Sequence, residues 1–491
     1  MRRTSPLKYS ILCLAWLLPG PAAAHAFAQR YDLPIPLGLY IAGAGLAVAL
    51  SFVVTALVVR RHDAGYPRLE LTRLGPGRLL VHPVVVGLMR ALGVAVFVLI
   101  VAAGLIGTQN QFKNIAPTLV WVIWWVGLAY VSALVGDLWR LVNPFATVFR
   151  WAEALHHRLT GVELSGARPW PKPLGVWPAV ALFFLFAWSE VVWSGGEKPF
   201  NLSLMILAYA LIARTGMLTF GREAWLAKGE AFTVVFGLLA RFAPTEARTG
   251  ADGRPEFALR PPAVGLLAEE PISPSLMAFV LLVLATVTFD GFRETPAWVA
   301  MFDAVFEAKP LLPLLTWLYD AGVNLPALVT TLAMLLAPCL FFAVYMGFAW
   351  LTRMAAGSGP GVGETARRFV LTLVPIAIAY HLAHYLSLLL IAGQLIIPLS
   401  SDPFGFGWDL FGTTLYLLDI SLAPARFVWY TAVTAIVAGH IAAVYLAHRV
   451  AFQIYPDRRA ALRSQIPMLA LMVGYTMVSL WILAQPLVSG P

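Results

Sequence analysis

Cysteine is nearly absent: Cys13 and Cys339 are the two in 491 residues. They build no CxxC metal motif, and once a leader carrying Cys13 is removed no intrachain disulfide can form. Charge is scarce as well, at 12% of residues. No internal repeat stands out, so an inverted-repeat transporter is not supported. No nucleophile motif is recognisable.

What fills the chain is apolar. Sixty per cent of residues are hydrophobic and the mean hydropathy is +0.78, far above soluble domains, which makes this a polytopic membrane protein. A net charge of +9 then reports topology rather than an anionic partner. The expected partners are the lipid bilayer, a small apolar substrate and a partner membrane subunit, with no nucleic acid.

Residues 1–24 read as a cleavable signal peptide: Arg2, Arg3 and Lys8, an apolar core from Ile11 to Leu18 too short to span, and Ala22-Ala23-Ala24. Cleavage after Ala24 makes His25 the mature N-terminus, able to chelate copper through its amine and ring together. Competing cleavage sites lie one or two residues downstream.

Residues 25–491 read as one domain. Apolar runs long enough for a bilayer core occur near 37–59, 84–106, 116–138, 174–193, 201–220, 274–290, 326–351, 367–396, 426–447 and 466–487. The expected fold is all-α, a bundle of about ten transmembrane spans. With the N-terminus outside, 24 Lys and Arg fall in the inner loops against six outside. That bias places both termini in the periplasm of a bacterium and the chain in its inner membrane. An amphipathic interfacial helix is expected near 220–240, where aromatics alternate with charges. A periplasmic loop, interfacial or re-entrant, is expected over 291–325.

The polar residues inside spans carry the chemistry. "AYHLAHYLSLLL" sets His381 and His384 three apart on one helix face, flanked by Tyr380 and Tyr385. At about 1.5 Å per residue they lie roughly 16–21 Å from the outer end of their span, and His440 lies ~21 Å down the next. Three imidazoles at one depth suit zinc, copper, nickel or iron, with a fourth position left for water. Two of them, one from each helix, suffice for haem b. The bland alternative is that each imidazole hydrogen-bonds a neighbouring helix.

Carboxylates gather on the outer side. Glu190 in "FAWSEVVW" and Asp290 in "VTFDGF" sit at span ends, and Asp402, Asp409 and Asp419 lie between spans eight and nine. They can act as bases, orient ligand histidines or ligate a second ion; otherwise they are solvated or paired with Arg293 and Arg426. Asp137 and Arg140 share a helix face and are expected to form an ion pair. His62, His82, His156, His157 and His448 fall near the inner surface as solvated or snorkelling residues.

Six stretches, "RYDLPIPLGLYIAGA", "GDLWRLVNPFATVF", "YHLAHYLSLLL", "SDPFGFGWDLFGT", "VWYTAVTAIVAGHIAAVYLAHR" and "RSQIPMLALMVGYTMVSLW", together resemble the bacterial membrane proteins called fenitrothion hydrolases, over nearly the whole mature chain. The resemblance implies hydrolysis of an aryl phosphotriester to a nitrophenol and a dialkyl thiophosphate. A metal-bound water held by His381, His384 and His440 would attack phosphorus. Glu190 or Asp290 would take the proton, and Trp188 and Trp193 would line an apolar mouth. A different class also fits: a periplasm-facing copper-handling or haem-bearing protein without hydrolase activity, with His25 and the methionines of the spans in its favour. A third is a scaffold subunit whose polar residues join helices.

Overall fold

The structure, a computed structural model, describes residues 32–59, 66–166, 168–249, 253, 255–268 and 270–485. The leader and His25 lie outside the described residues.

Among the described residues ten helices are long and apolar enough to cross a membrane. In chain order the elements used below are α1 (Leu37–Val58), β1 (Leu69–Glu70), α2 (Pro83–Ile106), α3 (Ile115–Leu134), α4 (Pro144–Thr160), α5 (Trp177–Val191), α6 (Pro199–Phe220), α7 (Arg222–Lys228) and α8 (Ala231–Ala240). They continue with β2 (Thr245–Thr249), β3 (Pro255–Leu259), α9 (Pro274–Arg293), α10 (Pro296–Glu307), α11 (Leu312–Asp320), α12 (Leu325–Ala356), α13 (Val374–Ile391), α14 (Ala425–Ile454) and α15 (Arg458–Ala484). Within this set α1, α2, α3, α5, α6, α9, α12, α13, α14 and α15 are the spans, α13 being the centre of the longer apolar segment Val362–Ser401. The chain is a multi-pass helical membrane protein, and the ten expected runs are the ten observed helices.

Enclosure sorts the spans. α9 is the most enclosed and α3 follows, while α2 and α12 turn most of their surface outward. Lipid is as apolar as leucine, so close approach through small residues, rather than hydrophobicity, holds such helices together. Gly439 of α14 shows this: a Cβ there would fall 2.4 Å from the Ala379 Cβ and 2.7 Å from the Pro375 carbonyl of α13. Only hydrogen fits at that crossing.

α3 departs from regular winding. Thr118–Gly127 is π-helical over ten residues, a rare state that recurs at functional sites. It turns Trp125 and the Val126 carbonyl toward α13, where the Trp125 ring stands 5.6 Å from His381.

On the face that carries the Lys- and Arg-rich loops, called here the basic face, β1, β3 and β2 form a small antiparallel sheet in that order. The expected interfacial helix over 220–240 is corrected. The segment breaks at Gly229 into α7 and α8, and α8 is buried along nearly its whole length. The break is set by Glu230, which is fully buried and caps α8 by accepting from the Phe232 and Thr233 amides at 3.1 and 2.7 Å. Tyr209, Trp139, Asn143 and the Thr233 hydroxyl complete its shell. A charge read as surface is thus satisfied inside the bundle. The amphipathic element is instead α4, whose Val148, Trp151, Leu155 and Leu159 are exposed in one stripe.

On the opposite side α10 and α11 fill the loop over 291–325 as two short helices, anchored by Trp298 against Phe289 at 5.4 Å. The Asp137–Arg140 ion pair is also corrected: the Asp137 carboxylate accepts from the Arg140 amide at 3.0 Å and so caps a helical turn.

Candidate functional site

The polar groups converge where α5, α9 and α13 meet. Asp290 Oδ2 of α9 lies 2.9 Å from His384 Nε2 and 3.0 Å from the Tyr385 hydroxyl, both on α13. The same hydroxyl lies 3.3 Å from Glu190 Oε1 of α5. A phenol has one hydrogen to donate, so it serves one carboxylate at a time and its contact with the other needs a second proton. Two carboxyls, a phenol and an imidazole therefore share protons across three helices.

These groups border a cavity. Glu190, Asp290, His381 and Tyr385 line it with apolar neighbours that include Trp125 and Phe183; its volume is about 30 Å³, room for one or two waters. Trp125 shares this wall with Glu190, its indole nitrogen buried without a hydrogen-bond partner. His381 stands one turn below Tyr385, its ring 4.8 Å from the phenol ring. The Val126 carbonyl faces His381, while the buried Nε2 has no hydrogen-bond partner.

The end of the cluster away from the basic face is closed by Arg293, whose guanidinium donates to the Val191 carbonyl and ties α9 to the end of α5. Just beyond, burial first and the Asp290 charge second raise the Glu294 carboxyl above its ordinary value. Gly291 lets Tyr380 approach, since a Cβ there would fall 2.2 Å from its hydroxyl oxygen.

Of the expected site residues, Glu190, Asp290, His381 and His384 come together. His440 does not join them. Its Nδ1 lies 2.8 Å from the Ile436 carbonyl, which can only accept, so Nδ1 carries the hydrogen. Its ring lies 5.9 Å from Tyr475, which hydrogen-bonds Thr288 at 2.5 Å. Helices α13 and α14 are adjacent, as expected, but equal depth does not make side chains converge.

Among the described residues no three His, Cys, Asp or Glu side chains stand grouped as metal ligands do. The three-imidazole metal site therefore does not fit these side chains as they stand. A porphyrin does not fit the cavity at His381.

Asp402, Asp409 and Asp419 orient no histidine. Asp402 accepts from the Phe406 and Gly407 amides, Asp409 from Thr414, and Asp419 from Ser421, so each shapes its own loop. Hydroxyl and amide donation from Ser421 holds the Asp419 carboxyl below its ordinary value. The carboxylate that does orient an imidazole is Asp290. Trp188 is turned away from the cavity, its indole donating to Thr331 at 2.9 Å; Trp125 forms the wall instead. His448 is buried between Gln465 and the Val59 carbonyl rather than solvated.

Fold and site together define a multi-pass helical membrane protein with an acid–base cluster enclosed in its bundle. Compared with family profiles, curated proteins and solved structures, the chain matches none.

Proposed function

We propose that this chain is a hydrolase of the bacterial inner membrane, acting on an uncharged aryl phosphotriester at the Glu190–Asp290–His384–Tyr385 cluster. The class of substrate comes from the resemblance to fenitrothion hydrolases. The observation that carries the site is Asp290, which holds His384 and Tyr385 at once on the edge of a water-sized cavity.

In this reading a cavity water attacks phosphorus as the Asp290 carboxylate takes its proton and becomes neutral, with His384 holding that carboxylate in position. The new P–O bond forms as the aryl–oxygen bond to phosphorus breaks, and the nitrophenolate leaves. Tyr385 donates to the phosphoryl or thiophosphoryl group. A phosphotriester is several times larger than the cavity, so the outer ends of α5 and α9 must part to admit it. The positive-inside bias orients those ends toward the periplasm.

The test is nitrophenol release by purified protein in nanodiscs, wild type beside His384→Gln. Loss of release in the variant supports the reading; full release in it overturns the site.

A second reading has its own observation. His381, with an unpartnered Nε2, lines the same cavity as Glu190 and Asp290. A copper-handling protein would use that imidazole with a carboxylate of the same wall, imidazole and carboxylate together suiting a divalent transition metal, though among the described residues no three such side chains stand grouped and a shift of side chains would have to complete the set. Metal content of wild type beside His381→Ala separates it from the first reading, which expects no difference.

A further inference from the structure

At the basic face the end of α1 meets α14 and α15 around one imidazole. His448 of α14 is buried, with the Phe452 ring 4.8 Å away. Its Nδ1 lies 2.9 Å from Gln465 Oε1 of α15, and its Nε2 lies 3.1 Å from the Val59 carbonyl just past the end of α1. The Gln465 amide is fixed in turn. Its Nε2 donates to the Ala461 carbonyl at 2.8 Å, and a carbonyl can only accept, so the oxygen is the atom left for the ring.

Both ring nitrogens therefore face acceptors. A neutral imidazole has one hydrogen and would leave its other nitrogen lone pair against an oxygen. Turning the Gln465 amide over moves this conflict without removing it, because the amide oxygen would then face the Ala461 carbonyl. The imidazolium, with a hydrogen on each nitrogen, satisfies every acceptor. Burying a cation costs free energy. Two charge-assisted hydrogen bonds offset that cost, and Val59 supplies a carbonyl at a helix C-terminus, where the dipole favours positive charge.

The charges nearby are engaged elsewhere. Among the described residues no carboxylate bonds the ring. From Leu37 to Val58 α1 has no charged side chain, and Tyr40 at its other end bonds Tyr430. On α15 Arg458, Arg459 and Arg463 are exposed and Asp457 caps the helix. On α14 Arg449 donates to Tyr445. On the short helix Val362–Phe369 beside α14, Arg368 pairs with Glu364 and Arg367 donates to the Gly363 and Ile272 carbonyls.

We propose that His448 is a proton-operated latch. As an imidazolium it ties the end of α1 to α14 and α15. The Val59 side is the less buried of its two bonds, so the Nε2 hydrogen is the one that passes to water at the basic face. The neutral ring keeps Gln465 and releases the end of α1. The latch uses none of the groups in the acid–base cluster and stands whether or not the chain is a hydrolase.

Nitrogen NMR of the full chain in nanodiscs, with isotope-labelled histidine, reads the ring directly. His448→Gln assigns its signal; if that variant does not fold, the signal that changes in Gln465→Met serves instead. At neutral pH the His448 ring is expected to carry hydrogens on both nitrogens. As pH rises and the Nε2 hydrogen leaves, deuterium exchange in the last turn of α1, corrected for its intrinsic pH dependence, quickens about tenfold, the weight of one hydrogen bond to a charged group. Gln465→Met leaves one acceptor, which a neutral ring serves with a single hydrogen, so its ring is neutral at the same pH and its exchange shows no step. A wild-type His448 ring with one hydrogen at neutral pH overturns the proposal. So does exchange in α1 that does not follow the titration of the ring, or a step of wild-type size in Gln465→Met.

Discussion

Asp290 and His384 lie 94 residues apart in sequence and 2.9 Å apart in space. Their contact joins the most enclosed span, α9, to the middle of α13, and it fixes which side of α13 faces the cavity. With His384 turned to Asp290, Tyr385 reaches both carboxyls and His381 falls one turn below.

Tyr385→Phe removes the hydroxyl that bridges Asp290 and Glu190 while keeping the ring. Hydrolysis is expected to fall by about 10²–10³, the usual cost of one donor aimed at developing charge. Nitrophenol release, normalised to folded protein, reads this directly.

His440→Leu separates the observed cluster from the three-imidazole arrangement that matched depth suggests. The polar and ring contacts of His440 are with Ile436 and Tyr475, away from the cavity. Activity is expected to stay within about threefold of wild type. A loss as deep as that of His384→Gln would restore His440 to the site.

Glu230→Ala is expected to be among the most damaging changes outside the site. It strips the cap from α8 and leaves Tyr209, Trp139 and Asn143 without their acceptor in a buried place. The expected cost is roughly 2–4 kcal/mol, seen as a lower midpoint of thermal unfolding in detergent. Glu230→Gln, which keeps one acceptor oxygen, should cost less.

Gly439→Val should be costly, because Gly439 sits buried where α13 and α14 cross. A Cβ alone meets Ala379 at 2.4 Å, so α13 and α14 must separate, at about 1–3 kcal/mol or more. Reduced yield and a lower unfolding midpoint would show it, and a midpoint equal to wild type would contradict the close crossing.

Asp137 provides a pH test. Burial, with the Glu230 charge in the same direction, raises its carboxyl above the ordinary value despite the Arg140 amide and charge. A group raised on folding gives stability below its unfolded pKa and loses it as pH climbs through the folded value. Asn caps as well as Asp does and carries no charge. Asp137→Asn should therefore be more stable than wild type at pH 7, with the gain fading as pH drops into the carboxylate range.

The spans were legible because a bilayer demands about twenty apolar residues in a row, and Leu37–Val58 or Pro83–Ile106 can hardly be anything else. Glu190, Asp290, His381 and His384 were legible as polar residues inside such runs. Their pairing was not. Depth along a helix can be counted from sequence, but rotation about its axis is set by packing, and that is what sends His384 to Asp290 and leaves His440 beside Tyr475. Residues 220–240 misled for a related reason: Glu230 looks like one more surface charge until the donors from α6 and the Trp139–Asn143 turn surround it. The π-helical winding that presents Trp125 has no signature in "TLVWVIWWVG" that distinguishes it from an ordinary apolar helix.

On the proposed reading Asp290 anchors the working site. The measurement is nitrophenol release from an aryl phosphotriester by wild type, Asp290→Asn and Asp409→Asn in nanodiscs. Release by wild type, reduced at least about 100-fold in Asp290→Asn and unchanged in the loop control Asp409→Asn, is the predicted result. Release that survives Asp290→Asn, or no release from any of the three, would contradict it.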